Sequence, residues 1–148
     1  MTNTDSILIP IRYGDLDPQG HVNNSRLLTF IEQARLEYLY RLGLWDGQDF
    51  MAFGLIVADA HVAYRTQIHL WQTVRVYAWV SRMGGKSLRT EYRLEDAETG
   101  ELFATAETVM VAYDYRLRQS IPISDEWRAR IAAHEGIPLR GEAEIGKE

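Results

Sequence analysis

Two hydrophobic periods divide this chain of 148 residues. Between Asn24 and Leu42, apolar side chains recur at spacings of three and four: Leu27, Leu28, Ile31, Ala34, Tyr38, Leu39 and Leu42. That spacing lines one face of a helix. Gly43 follows as a natural C-terminal stop. A helix of nearly twenty residues is about 30 Å long at 1.5 Å per residue. After Gly54 the period falls to two, as on a strand. Ile56, Ala58, Ala60, Val62 and Tyr64 form one such set, and Val74, Val76, Ala78 and Val80 the next. Leu88, Thr90, Tyr92 and Leu94 form a third, with Arg89, Glu91, Arg93 and Glu95 on the wet face. Leu102, Ala104, Ala106, Thr108, Met110 and Ala112 form a fourth, and its small side chains suit a bulky neighbour. Gly84-Gly85 and the segment from Asp96 to Gly100 read as turns. Ile7 to Tyr13 reads as a short strand, which Pro10 confines to an edge. Asp125 to His134 reads as a second helix capped by Ser124. One long helix and an antiparallel sheet make an α+β architecture.

The length fits a single domain over residues 1–148, with its core from about 7 to 122. No repeat, low-complexity segment or linker divides it. The polar stretch from Gly136 to Glu148 reads as a frayed tail. Cysteine is absent, which excludes disulfides, a thiolate nucleophile and cysteine metal sites. The net charge of -5 gives no electrostatic case for nucleic acid. Against that acidic background Arg82, Lys86, Arg89 and Arg93 cluster. Met1 to Ser6 lacks the basic and apolar regions of a signal peptide. No apolar run reaches the roughly 20 residues of a membrane span. The expected location is the cytoplasm.

Chemistry concentrates between Ile11 and Asn24. This stretch holds Asp15, Asp17, His21, Asn23 and Asn24, with a turn at Asp17-Pro18 and Gly20. Asn23 or Asn24 can cap the helix that follows. A helix N-terminus offers free N–H groups and partial positive charge. A carboxylate beside it suits attack on a polarised carbonyl, and so acyl transfer or hydrolysis. Asp15 and Asp17 alternate, so on an extended backbone they point opposite ways. Asp15 is therefore expected to support the loop, the alternative being a carboxylate pair sharing a proton. His61, His69 and His134 show no partner in sequence. No histidine pair has metal-ligand spacing, so no metal site is expected. Glu32 and Arg35, three apart, suit an ion pair. Arg82, Lys86, Ser87 and Arg89 flank Gly84-Gly85 and suit either phosphate binding or a solvated hairpin.

These elements, in this order, resemble the hotdog-fold acyl-CoA thioesterases, in particular the 4-hydroxybenzoyl-CoA thioesterase-like family. The residues that carry the likeness are Tyr13-Gly14-Asp15-Leu16-Asp17, Gly20-His21-Val22-Asn23-Asn24 and Glu32-Gln33-Ala34-Arg35. Gly84, Gly85, Ser87 and the stretch from Asp114 to Pro122 extend it, so it runs from about Ile7 to Pro122. The resemblance implies a sheet wrapped around the long central helix. It implies subunits joined sheet to sheet, with active sites between them, in a homodimer or homotetramer. The strand from about Phe53 to Arg65 is the expected pairing edge.

By resemblance Asp17 is the nucleophile or the general base toward water. Asn24 presents its backbone N–H to the thioester oxygen. Asn23 either orients the water and braces Asp17 or only caps the helix. His21 either positions the loop or transfers a proton. Leu27 and Phe30 stand where relatives often carry Tyr, beside the expected acyl pocket. Lost hydroxyls there change pocket polarity, so no relative's substrate transfers to this chain. The implied activity is hydrolysis of acyl-CoA, with coenzyme A as part of the substrate and no further cofactor, metal, nucleic acid or membrane partner. The rivals are an acyl-acyl-carrier-protein thioesterase, a hotdog hydratase or dehydratase, and a non-catalytic acyl-CoA-binding protein.

Overall fold

A computed structural model describes residues 5–52 and 54–140. The elements run β1 (Ser6–Pro10), a 3-10 turn (Tyr13–Asp15), α1 (Asn24–Arg41), β2 (Leu55–Tyr64), β3 (Thr73–Met83), β4 (Ser87–Asp96), β5 (Leu102–Asp114), β6 (Gln119–Ser120) and α2 (Asp125–Glu135). The strands form one six-stranded sheet in the order β1-β3-β4-β5-β2, with β6 on β5. β1 pairs antiparallel with β3, Ser6 opposite Tyr77 and Pro10 opposite Thr73. The fold is α+β and hotdog-like.

Most elements lie where the periods put them. α1 stops at Arg41, and Gly43 follows with φ +76°. Ser124 caps α2 by accepting the Trp127 N–H at 3.2 Å. Two expectations need correction. β1 ends at Pro10 instead of running to Tyr13. Arg12 donates its N–H to Asp15 Oδ2 at 2.9 Å, and the Asp15 N–H returns to the Arg12 carbonyl at 2.9 Å. That reciprocal pair closes a 3-10 turn where an extended segment was expected. The period-two pattern of β2 also hides no buried face: Ile56, Val57 and Tyr64 stand exposed. β2 is the last strand of its sheet. Phe53 and the end of the polar tail, residues 141–148, lie outside the described residues, as do residues 1–4.

The chain divides at Tyr38/Leu39, His61/Val62, Ala78/Trp79, Glu91/Tyr92 and Ala106/Glu107 into two compact units. In the first, α1 buries Leu27, Phe30, Ile31 and Ala34 against Val74, Val76, Tyr92, Leu94, Phe103 and Ala104. Ala104 and Ala106 of β5 share this buried cluster with Phe30 and Tyr92. Burying each large apolar side chain contributes roughly 1.5–3 kcal/mol. The second unit buries Leu39, Val80, Met83, Leu88, Met110 and Ile131. Arg128 is buried there too. Its Nη2 donates to the carbonyls of Gly84 and Gly85 at 2.9 and 3.1 Å. Among the described residues no helix is long and apolar enough to cross a membrane.

Candidate active site

In the first unit, residues 16 to 22 form a tight hairpin, bridged at Leu16 and Val22. The Gly20 N–H meets the Asp17 carbonyl at 3.0 Å, and the Asp17 N–H meets that of His21 at 2.8 Å. Asp, Pro and Gly occupy the first, second and fourth turn positions, which suits each of them. Gly20, at φ +82°, adopts a backbone that side chains disfavour.

The Asp17 carboxylate is part of this hairpin. Its Oδ1 accepts the N–H of Gln19 at 2.9 Å and of His21 at 3.2 Å. Its Oδ2 has no hydrogen-bond partner among the described residues, and the residue is half-buried. Asp15 behaves differently. It is buried, and its Oδ1 lies 3.4 Å from Arg12 Nη2 and 3.4 Å from Arg26 Nε. Its carbonyl accepts the Asn23 N–H at 3.0 Å. The two carboxylates thus have separate partners, and Asp15 ties the hairpin to the start of α1.

Asn23 caps α1. Its Oδ1 accepts the Ser25 N–H at 3.0 Å and the Ser25 hydroxyl at 2.9 Å. Its carbonyl takes the Arg26 N–H at 2.8 Å. The Asn24 N–H has no partner among the described residues. No acidic residue sits in the first turn of α1, so the helix end keeps its partial positive charge. The Tyr64 hydroxyl donates to the Asn24 carbonyl at 3.3 Å.

His21 does have a partner that sequence did not reveal. Its ring meets that of His69 edge-on, centroids 5.0 Å apart and planes at 79°. The two residues also bridge through their backbones. No spacing signal links positions 48 residues apart, so only the fold brings them together.

Leu27 and Phe30 are buried, 4% and 3% exposed. Leu28, 42% exposed, is the outward apolar residue of that helix turn. Glu32 makes no ion pair with Arg35, because Arg35 turns inward and donates to the Tyr92 hydroxyl at 3.2 Å.

In the second unit, Arg82, Lys86, Ser87 and Arg89 do surround one turn. Ser87 is buried, and Arg89 is paired with Glu107 at 3.0 Å. Lys86 Nζ donates to the Ser120 hydroxyl at 3.3 Å. The glycine carbonyls of the turn are engaged by Arg128. This unit also has a cleft of about 540 Å³, walled by Met51, Ala52, Tyr113, Tyr115, Ile121 and Trp127. Its carboxylates are committed to their own loops: Asp49 Oδ1 accepts from Met51 and Ala52, and Asp114 Oδ1 from Arg116 and Leu117. That arrangement suits binding more than proton transfer.

Comparison with known proteins identifies a family for the chain. The family described as thioesterase-like superfamily matches residues 11–131. A thioesterase from Thermus thermophilus, solved with coenzyme A and zinc, is 33% identical. The similarity covers 90% of this chain and 95% of that one, with a TM-score of 0.77. A DHNA-CoA thioesterase from Staphylococcus aureus is 25% identical over 89% of this chain and 91% of its own, with a TM-score of 0.79. The long-chain acyl-CoA thioesterase FadM of Escherichia coli (strain K12) is 24% identical over 83% of this chain and 93% of its own.

Proposed function

The chain belongs to the thioesterase-like superfamily and is a thioester hydrolase, and from that premise we propose that it cleaves acyl-CoA with Asp17 as the reacting carboxylate. The observation that carries this is the split environment of Asp17. Oδ1 is fixed by two N–H groups, while Oδ2 has no hydrogen-bond partner among the described residues. A carboxylate held this way attacks the thioester carbon or draws the proton from a water that does so. When Asp17 attacks, the acyl group passes from sulfur to its carboxylate and water then opens that anhydride; when Asp17 acts as base, water adds its oxygen directly and the proton Asp17 takes goes to the departing sulfur. Either way one water is consumed, a C–O bond replaces the C–S bond, and coenzyme A leaves as the thiol. The unpartnered Asn24 N–H at the start of α1 receives the developing oxyanion. Asn23 sets that N–H by capping the helix, and His21 sets Asp17 through its own N–H. No cofactor is needed beyond the coenzyme A of the substrate.

Arg82, Lys86 and Arg89 beside the buried Ser87 receive the coenzyme A phosphates in this proposal. The acyl group meets the turn of α1 that carries Leu27 and Phe30, with Leu28 as its exposed apolar residue. A second copy of the chain covers the exposed edge of β2, since an open edge strand is a liability. A chain that sediments as a monomer would remove that part.

The test is thiol release over short, long, branched and aromatic acyl-CoAs, with one acyl-carrier-protein thioester matched to the best of them. Asp17→Asn is run alongside. The expected result is faster turnover of the CoA thioester and a loss of about 10²-fold or more in the variant. Unchanged turnover in Asp17→Asn removes Asp17 from the chemistry. Faster turnover of the carrier-protein thioester moves the substrate to that class.

A further inference from the structure

We propose that His69 is a positioning residue for Asp17, acting through its ring contact with His21; this rests on Asp17 being the reacting carboxylate.

Three observations in the first unit converge on His69. The first is the ring contact. His69 meets His21 edge-on at 5.0 Å, and the His21 N–H holds Asp17 Oδ1 at 3.2 Å. His21 thus links His69 to the carboxylate. Edge-to-face ring pairs have a defined geometry, so the contact fixes an orientation as well as filling space.

The second is a clamp behind His69. The His69 N–H donates to Gln72 Oε1 at 2.8 Å, and Gln72 Nε2 donates to Asp96 Oδ2 at 3.0 Å. Asp96 is buried, and its other oxygen accepts the N–H groups of Glu98 and Thr99 at 2.7 and 3.2 Å. The backbone joins in: the Val22 N–H reaches the Ile68 carbonyl at 2.8 Å, and the Ile11 N–H that of Gln72 at 3.0 Å. The His69 backbone is therefore held from one side by Gln72, itself anchored on a buried carboxylate at the end of β4. On the other side the His69 ring presses on the hairpin.

The third is backbone strain in the same turn. The Gln72 N–H returns to the His69 carbonyl at 3.3 Å, closing a four-residue turn. Trp71, its third residue, has φ +78° and is 89% exposed. Glycine suits that position, and a bulky residue there is an outlier. The exposed indole gains no burial that offsets the strain. The surrounding structure over-determines the turn, and strain of this kind collects where a side chain must be aimed. Here the aimed side chain is His69.

A ring that orients a reacting group through a neighbour affects turnover more than binding. A misplacement of about 1 Å can lower a rate by about 10²-fold. His69→Ala is expected to lower kcat by about 10- to 100-fold and to change KM by less than about threefold. His69→Phe keeps a ring edge without its nitrogens and is expected to restore kcat to within about threefold of wild type. Hydrogen exchange at the His21 amide, protected by Asp17 Oδ1, is expected to quicken in His69→Ala and to return in His69→Phe. Gln72→Leu removes the clamp and keeps every ring. It is expected to show the same split at about three- to tenfold, and it carries the test if His69→Ala does not fold.

Wild-type kcat in His69→Ala, or in a folded Gln72→Leu, overturns the proposal. So does equal loss in the Ala and Phe variants with unaltered His21 exchange, because that pattern belongs to imidazole chemistry and not to packing. Asp17→Asn, assayed in parallel, separates the two levels. If it abolishes turnover while His69→Ala does not, only the positioning role fails. If it leaves turnover intact, the assignment of Asp17 fails and the positioning role falls with it.

Discussion

Arg26 brings its Nε to 3.4 Å from Oδ1 of Asp15, whose side chain is fully buried. The contact joins the first turn of α1 to the 3-10 turn that precedes the hairpin. Asp15 also serves the Arg12 N–H, so its removal leaves a donor without its acceptor. Losing one partner of a buried charged group costs more than the pair contributes. Asp15→Ala is expected to lower stability by about 3 kcal/mol. Asp15→Asn keeps one acceptor oxygen and is expected to lose about half of that. Urea titration reads both. An unchanged midpoint for Asp15→Ala would show that water replaces the carboxylate.

Asn23 supplies the cap of α1 through Ser25. Replacing a capping side chain by Ala typically costs about 1 kcal/mol, whereas Ser caps nearly as well as Asn. Asn23→Ala is therefore expected to lose about 1 kcal/mol, and Asn23→Ser only a few tenths. Activity should follow the cap. If Asn23→Ser keeps the stability but loses turnover, the carboxamide acts on the substrate or its water and does more than cap.

Much of this was legible in the chain. The long helix, the four long strands, the Ser124 cap and the edge position of β1 follow from period, glycine and proline placement. The hairpin's local chemistry was legible as well, because Asp17, Pro18 and Gly20 specify a turn by themselves. What stayed hidden was tertiary. His69 and Gln72 have no sequence relation to His21, and Asp96 reads only as a hairpin residue until Gln72 is placed beside it. Leu27 and Phe30 show the limit of periodicity. It marks a buried face, and it cannot say whether that face meets a core or a ligand. Arg128 shows the limit of charge patterning, since nothing in sequence separates it from the exposed Arg130 two residues on.

Arg128 carries the next prediction. Its planar fork reaches two carbonyls of the Gly84-Gly85 turn from Nη2, and Nη1 donates to the Leu139 carbonyl at 2.8 Å. A lysine ammonium cannot reproduce this fork. Arg128→Lys is expected to lose about 2 kcal/mol and Arg128→Ala about 3–4 kcal/mol, since both leave buried carbonyls short of donors. Thermal unfolding of the two variants checks the order. Equal stability of Arg128→Lys and wild type would show that a single ammonium satisfies the turn.

Two exposed loops carry a pH-dependent part of the stability. The Asp114 carboxyl is held below its ordinary value of 3.8 by the N–H of Leu117 and then of Arg116. Asp46 is held below the same value by the N–H of Asp49 and then of Gln48. A lowered folded-state value means that the native loop favours the ionised form. The contribution to stability is complete above the unfolded value and is lost as pH falls through the folded one. Asparagine keeps an acceptor oxygen but carries no charge at any pH. The stability gap between wild type and Asp114→Asn should therefore be constant from about pH 5 upward and close as pH falls below about 4. Denaturant titrations at stepped pH measure that gap. A gap that stays constant into acid would mean that the variant disturbs the loop by shape, and that ionisation of Asp114 does not hold it.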